Sequence, residues 1–252
     1  MAGFGSVTNR LMPEAESVLP ARDTVMVWAA QLDPGQEQID DLAGLLSADE
    51  HDRAARFQFD EHRRRYIAAR GILRLILGRC LNRRPGQVCL VYGAAGKPAL
   101  HPDEGVYFNL AHSHQMALYA VTYQRQVGVD LEFIRPVADM AQIAASNFSA
   151  CEYADWQGLP AAEQQAGFFN CWTRKEAYIK ARGEGLLYPL GRFDVSLRPG
   201  QPAQLLRVEG SASEAARWSL QAVNPHPGYA AALAIEGRGW SLAWRGWYGT
   251  FA

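Results

Sequence analysis

The sequence predicts an α+β fold of two pseudo-duplicated lobes, in which a long helix packs on a small antiparallel sheet in each lobe. The predicted elements run strand, short helices, long helix and late strands in 1–124, and again in 125–252. Two similar strings also recur in the same order: YIAARG (66–71) with YIKARG (178–183), and HSHQMALYAVT (112–122) with HPGYAAALAIE (226–236). Ordered matches of this kind indicate an internal duplication. We expect the active site in the cleft between the two lobes.

The elements of the first half are predicted from hydrophobic periodicity. Residues 24–32 alternate as a strand does, and Ser47 with Glu50 forms the capping-box pattern that begins a helix. Residues 61–81 are predicted to form a long amphipathic helix whose arginines face water. Residues 106–123 are predicted to form a polar loop followed by an apolar strand.

The second half is predicted by the same signals. A strand over 126–134 precedes short helices over 140–159 and a long helix over 165–183. Four late strands follow, over 193–197, 218–224, 229–237 and 240–249. The two halves are expected to join near 122–126.

The composition favours a globular protein. The 252 residues are 48% hydrophobic and 20% charged, with a formal net charge of −1, which disfavours general binding of nucleic acid or a membrane surface. The four cysteines have no metal-ligand spacing. No apolar run is long enough to span a membrane, and no signal peptide is visible. We therefore expect a soluble, cytoplasmic protein.

Lysine is scarce in this chain and its positions are informative. Of the 25 basic residues, 22 are arginine and three are lysine, namely Lys97, Lys175 and Lys180. A bias in genome composition explains the excess of arginine, but it does not explain where the three lysines fall.

The stretch GVDLE (128–132) places two carboxylates in an apolar strand. Residues two apart in a strand share a face, so Asp130 and Glu132 point the same way, opposite to Val129 and Leu131. One interpretation is a solvated outer face on which the two acidic residues have no specific role. The other is a site for a hard cation, because adjacent carboxylates repel unless a cation or proton lies between them.

The stretch WTRKEAYIK (172–180) places Trp172, Glu176 and Lys180 on one stripe of a helix. They form either a surface stripe with an ordinary Glu–Lys pair or part of a site. In a site, Glu176 would be a third oxygen ligand or a general base, and Lys180 would hold a phosphate.

Three other positions have both a plain and a functional interpretation. His112 is predicted in a polar loop, where it is either structural or catalytic. Lys97 lies in the turn GKP (96–98), and Arg53 and Arg56 lie in an arginine-dense segment that is otherwise expected to face water. Either arginine could reach a phosphate. Residue chemistry alone therefore predicts a two-lobed protein with a possible Mg²⁺-diphosphate site.

The four motifs together resemble the 4'-phosphopantetheinyl transferases of the surfactin-synthetase-activating type. That family carries a GKP turn, an FN-x-SHS loop, a G-[IV]-D-x-E strand and a W-x-x-KE-[AS]-x-x-K helix. This chain has GKP, FNLAHS (108–113), GVDLE and WTRKEAYIK in the same order. The family is also a pseudo-duplicated two-lobed monomer, as the internal repeat predicts for this chain.

The resemblance implies that coenzyme A donates its phosphopantetheine arm to a serine of an apo carrier protein, releasing adenosine 3',5'-bisphosphate. It implies that Asp130, Glu132 and Glu176 bind Mg²⁺, with Mn²⁺ also possible. Glu176 would be the general base and Lys180 would contact the diphosphate.

The resemblance also implies contacts with coenzyme A and a carrier surface. Lys97, His112 and Arg53 would contact the phosphates, with His112 at the 3'-phosphate. The carrier-facing surface is expected around 135–165. The length and the two lobes resemble members that serve several carriers, from peptide, polyketide or fatty-acid synthesis.

Two positions depart from the family pattern, and two other functions stay open. Ala111 stands where the family usually has serine, and Glu50 stands where some members carry a basic residue. Both departures either weaken coenzyme A binding or shift it to backbone contacts, and neither removes the metal site. The alternatives are a Mg²⁺-dependent nucleotide diphosphate hydrolase and a non-catalytic module that binds coenzyme A or a partner.

Overall fold

The computed structural model describes residues 19–185, 188–209 and 211–248. Each lobe has one strand, two short helices, a long helix, two short strands and two long strands. The first lobe contains β1 (Thr24–Gln31), α1 (Gln36–Ala43), α2 (Ala48–Ala55), α3 (Asp60–Cys80), β2 (Leu90–Tyr92), β3 (Pro98–Leu100), β4 (Val106–Ser113) and β5 (Met116–Tyr123).

The second lobe repeats this order and adds one short helix. Its elements are β6 (Val127–Phe133), α4 (Met140–Asn147), α5 (Ala150–Gln157), α6 (Ala161–Arg182), β7 (Phe193–Val195), β8 (Leu205–Val208), α7 (Ala212–Ala216), β9 (Trp218–Val223) and β10 (Tyr229–Glu236). A final strand, β11 (Ser241–Tyr248), follows. No helix among the described residues is both long enough and apolar enough to cross a bilayer.

The two main sheets share one plan. The first has the strand order β11-β1-β5-β4 and the second β6-β10-β9. β5 lies antiparallel between β1 and β4, and β10 lies antiparallel between β6 and β9. The predicted α+β fold with duplicated lobes is therefore confirmed by the element order and by the strand order.

The strand β11 departs from the prediction, which placed it in the second lobe. It crosses back and pairs in parallel with β1 of the first lobe, where Leu242 lies opposite Val25 and Ala243 opposite Met26. Both residues also pack against the hydrophobic core there. An edge strand with open backbone groups needs a cover, and β11 covers β1.

The core has four layers, in the order helix, sheet, sheet, helix. In β5, Tyr119 and Val121 pack in the cluster that contains α3, whereas Leu118 and Ala120 pack in a cluster shared by both sheets. The alternation of β5 and its counterpart β10 therefore buries both faces of each sheet. The shared layer brings the lobes together.

The repeated strings differ in how well they mark equivalent positions. Gly71 lies inside α3 and faces Leu42, with only 2.8 Å between an added Cβ and the leucine side chain. Gly183 instead ends α6 in the left-handed conformation, at φ 76°. The strings YIAARG and YIKARG therefore occupy non-equivalent positions in the two long helices. The evidence for the duplication is instead the shared order of the elements.

The arginines of α3 do not all face water, contrary to the prediction. Arg70 and Arg74 are buried and both bind the carboxylate of Glu50, at 2.6 and 2.5 Å. Glu50 also accepts the Ser47 amide and completes the predicted capping box. A buried carboxylate needs such partners, and two guanidinium groups supply them.

Candidate active site

The motif GVDLE forms β6, and its glycine lets the strand lie against the helix α6. A Cβ added to Gly128 would lie 2.1 Å from the carbonyl oxygen of Ala177 and 2.3 Å from the amide nitrogen of Ala181. Because both atoms belong to the helix backbone, a larger residue would push β6 and α6 apart. This close approach brings the side chains of the two motifs together.

Asp130 and Lys180 meet where β6 and α6 face each other. Lys180 Nζ donates to Asp130 Oδ1 over 2.5 Å, and the Asp130 side chain is only 5% exposed. The other oxygen, Oδ2, is the one buried side-chain polar atom of the described residues that has no hydrogen-bond partner. Asp130 therefore lies on an enclosed face and not on the solvated outer face of the plain interpretation.

Glu132 and Glu176 complete an acidic group around Asp130. Burial raises the pKa of all three carboxyls, and the Asp130 carboxylate further raises the pKa of Glu132 and of Glu176. Lys180 lowers each of these pKa values and offsets part of the effect. The three acids thus lie close enough to repel, beside one ammonium group.

This acidic group fits a hard divalent cation. Among the described residues, no group of three or more His, Cys, Asp or Glu side chains is arranged to hold a metal ion. Mg²⁺ commonly uses only one or two protein carboxylates and fills its other positions with water and phosphate oxygens. The unpartnered Oδ2 of Asp130 has the chemistry of such a ligand, and its binding of a metal stays a prediction.

His112 lies on β4 and not in a loop, which corrects the prediction. It pairs with Ala117 across a two-residue turn that contains His114 in the left-handed conformation. Its side chain is accessible to solvent, yet the surrounding protein lowers its pKa by desolvation, aided by Lys180 and Arg65. His112 therefore lies near Lys180 and Arg65.

Lys97 reaches the same region but binds protein atoms. Its Nζ donates to the carbonyl oxygens of Val127 and Ala181, each at 3.1 Å. Desolvation lowers its pKa to about 8. This geometry favours a structural role, and the contact with coenzyme A phosphates stays a prediction.

Arg53 lies apart from the acidic group. Its guanidinium lies over the ring of Tyr66, and the residue lines a surface cleft of about 510 Å³ with Asp49, Arg56 and Phe57. No contact among the described residues joins Arg53 to the carboxylates of β6. The contact of Arg53 with the nucleotide end of coenzyme A stays a prediction.

The two departures from the family pattern have structural explanations. Glu50 is turned inward to Arg70 and Arg74, so it does not place a negative charge at a ligand site. Ala111 is 4% exposed and packs in the layer between the two sheets. A serine hydroxyl at that position would need a buried hydrogen-bond partner.

Lys175, the remaining lysine, is part of a buried network beside the site. Its Nζ binds both carboxylate oxygens of Glu152 and the carbonyl of Phe193, at 2.6 to 2.7 Å. Glu152 also accepts the amide of Val195. This network fixes the inner face of α6, and Glu176 follows directly in the chain.

Two residues that touch the site are not predicted from the sequence. Ser113 Oγ donates to Glu132 Oε2 at 2.9 Å, and Arg65 lowers the pKa of His112. Ser113 belongs to the motif FNLAHS, and this motif could have marked it as a candidate site residue. Arg65 is one of three consecutive arginines, and nothing local distinguishes it.

Comparison with known families identifies both lobes. Residues 30–124 match the profile described as 4'-phosphopantetheinyl transferase, N-terminal, and residues 126–234 match that of the 4'-phosphopantetheinyl transferase superfamily. The 4'-phosphopantetheinyl transferase HetI of Nostoc sp. is 43% identical over 91% of this chain and 94% of its own length. The 4'-phosphopantetheinyl transferase psf-1 of Bacillus pumilus is 34% identical over 71% and 78%.

A solved structure described as a Chronobacterium ammoniagenes ACPS-CoA complex is 22% identical, with a TM-score of 0.32 over 45% of this chain and 98% of that one. The profiles and the two close relatives give the identification. The chain belongs to the 4'-phosphopantetheinyl transferase superfamily and transfers the phosphopantetheine arm of coenzyme A to a carrier protein.

Proposed function

We propose that the transfer takes place between the two lobes, where β6 and α6 meet the end of β4. The observation that carries this proposal is the Asp130 carboxylate, which is held by Lys180 on one oxygen and has no partner on the other. Glu132 and Glu176 raise the negative charge around it. Such a group is suited to a divalent cation and a diphosphate.

Asp130, Glu132 and Glu176 would hold Mg²⁺, and Mn²⁺ is an alternative because oxygen ligands accept both. When bound, the ion neutralises charge on the diphosphate of coenzyme A. Catalysis by the chain itself is then mainly positioning and electrostatic stabilisation, as in phosphoryl transfer generally.

Glu176 would accept the proton of the carrier serine. Burial and the neighbouring carboxylates raise its pKa, which makes it a stronger base than an exposed glutamate. No hydrogen bond from the described residues occupies its carboxylate, and its side chain is half-buried on the accessible side of α6. The carboxylate is therefore available to an incoming hydroxyl.

Lys180 would contact the diphosphate and stabilise the leaving oxygen. Its side chain is 30% exposed, so its ammonium reaches the cleft while it binds Asp130. Charge on a leaving phosphate oxygen is well stabilised by a fixed ammonium in a partly desolvated site.

His112 and Arg53 would bind the nucleotide end of coenzyme A. His112 lies near Lys180, and Arg53 lines a separate cleft with Arg56. We assign His112 to the 3'-phosphate. Desolvation and the neighbouring cations lower the pKa of His112, and the negative charge of a bound phosphate would act in the opposite direction.

The test is the intact mass of an apo carrier protein incubated with this protein, coenzyme A and Mg²⁺, with and without chelator. The expected result is a metal-dependent gain of ~340 Da, one phosphopantetheine arm. Asp130→Asn should abolish the gain, whereas Glu209→Gln, at an exposed position paired with Arg192 outside the site, should leave it unchanged. A full gain with Asp130→Asn would contradict the placement of the site.

The same assay separates the two alternatives. A nucleotide diphosphate hydrolase would release adenosine 3',5'-bisphosphate without any carrier present. A binding module would bind coenzyme A and modify no carrier. The family match favours neither of them.

A further inference from the structure

We propose that Lys97, Asn109 and Ser113 of the first lobe form a clamp along the free edge of β6, and that the clamp positions the metal-binding carboxylates. This inference rests on the proposed function, because it treats β6 as the strand that holds the metal. These three residues are called the edge clamp below. Their role would be positioning, not direct chemistry.

The edge clamp joins two strands that are edges of different sheets. β4 ends the first sheet and β6 ends the second, and these strands share no backbone ladder in the described part of the chain. An unpaired strand edge leaves backbone groups without partners. Side chains from the first lobe supply those partners on β6.

The contacts of Asn109 and Ser113 have one register. Asn109 Oδ1 accepts the amide of Val129 at 2.8 Å, and Ser113 Oγ accepts the amide of Phe133 at 3.1 Å. Each contact joins residues 20 positions apart, so β4 and β6 run parallel here. Two side chains four positions apart thus replace part of a strand ladder and fix the register of β6 against the first lobe.

Lys97 makes the third contact on this edge. Its ammonium binds the carbonyl of Val127 on β6 and the carbonyl of Ala181 in the last turn of α6. A cation is favourable at the C-terminal end of a helix. Lys97 therefore ties the first lobe to both elements that carry the site.

Ser113 extends the clamp to the metal ligand itself. A hydroxyl has one proton to donate, and Ser113 donates it to Glu132 Oε2 at 2.9 Å while accepting from the Phe133 amide. One side chain thus sets both the register of β6 and the direction of the Glu132 carboxylate. Partners of this kind orient metal ligands and affect metal affinity.

The clamp gives Lys97 a structural place in an arginine-rich chain. Its compact ammonium fits between two carbonyl oxygens from different elements. The same reasoning applies to Lys175 and Lys180, each of which binds carboxylate oxygens within 2.7 Å. All three lysines therefore occupy places that require a point charge.

The first experiment measures Mn²⁺ affinity of the whole protein by calorimetry, without coenzyme A. Ser113→Ala is expected to weaken Mn²⁺ binding about 10-fold or more, and Ser113→Thr, which keeps a hydroxyl, to restore much of it. The matched control is Ser219→Ala on β9, at the opposite edge of the same sheet, where the hydroxyl binds the carbonyl of Gly237. The control should leave Mn²⁺ affinity unchanged. Parental affinity in Ser113→Ala would overturn the role of Ser113.

The second experiment does not depend on a metal. Amide hydrogen exchange in the parent protein should show protection at Val129 and Phe133, and Asn109→Ala should speed exchange at Val129 much more than at the β9–β10 amides. Parental protection of Val129 in this variant would overturn the clamp. If the parent protein binds no Mn²⁺, the metal assignment of the proposed function fails, and the exchange result still decides the clamp.

Discussion

Lys180 Nζ binds one oxygen of Asp130 over 2.5 Å, while the other oxygen of the same carboxylate has no partner among the described residues. A buried carboxylate normally has partners for both oxygens. The half-satisfied state is therefore costly for the fold, and it is explained if a ligand binds there. The same contact places the ammonium group of Lys180 beside the expected position of the diphosphate.

The role of Glu176 is tested by Glu176→Gln. We expect turnover to fall about 10²–10⁴-fold, because an amide cannot accept the serine proton, while coenzyme A still binds in part. The measurement is the initial rate of carrier modification together with the dissociation constant of coenzyme A. Glu209→Gln, an exposed acid outside the site, is the control, and near-parental turnover in Glu176→Gln would exclude Glu176 as the base.

The acidic group should make the metal-free protein less stable as the pH rises. When the pKa of a carboxyl is raised in the folded protein, the native state binds more protons than the unfolded state at a pH above the ordinary pKa of about 4.5. The free energy of unfolding therefore falls as the pH rises from that value through the raised pKa. Asp130, Glu132 and Glu176 all have raised pKa values.

Glu176→Gln should therefore raise the melting temperature of the chelated protein at about pH 7 and change it little at about pH 4, where the acid is protonated in both states. Thermal unfolding with excess chelator measures this difference. A melting temperature at neutral pH that is equal to or below that of the parent would contradict the repulsion among the three acids.

Gly128→Ala should separate β6 from α6. An added Cβ would lie 2.1 Å from a helix carbonyl, and overpacking of this kind costs about 1–3 kcal/mol or more. We expect lower stability and a large loss of transfer activity, because Asp130 would move away from Lys180. Gly191→Ala, where nothing lies within 4 Å of an added Cβ, is the control and should change neither quantity.

Glu50→Ala should destabilise the first lobe strongly. It would leave Arg70 and Arg74 buried without their carboxylate, and breaking a buried ion pair costs about 3–5 kcal/mol. Chemical denaturation measures this loss. Asp60→Ala, which removes an exposed partner of Arg63, should change stability far less.

The pH dependence of Glu50 has the opposite sign to that of the acidic group. Burial tends to raise its pKa, but Arg70, the Ser47 amide and Arg74 together outweigh burial and lower it. Its contribution is present above the ordinary carboxyl pKa of about 4.5 and is lost as the pH falls below that value. Glu50→Gln should therefore be less stable than the parent at neutral pH, and its stability should fall less steeply as the pH is lowered.

Much of the site was predictable because it depends on local geometry. The two-residue period of a strand places Asp130 and Glu132 on one face, and the helical period places Glu176 and Lys180 on one stripe. The structure confirms that these two faces belong to β6 and α6. The repeated order of strands and helices in the two lobes was predictable for the same reason, because strands and helices have different hydrophobic periods.

Other features were not predictable because they depend on partners far away in the chain. The helical period suggested that Arg70 and Arg74 face water, but Glu50, about two dozen residues earlier, draws them inward. His112 was expected in a loop, and only its pairing with Ala117 makes it part of a strand. The return of β11 to the first lobe has no local signal at all.

The sequence by itself determined the two lobes, the four motifs and the identity of the acidic residues. Only the tertiary structure decided which groups meet: Lys180 with Asp130, Lys97 with two carbonyls, and Ser113 with Glu132. The physical reason is that periodicity follows from the backbone of each element. Hydrogen bonds between elements depend instead on the packing of strands and helices that are 19 to 84 residues apart in the chain.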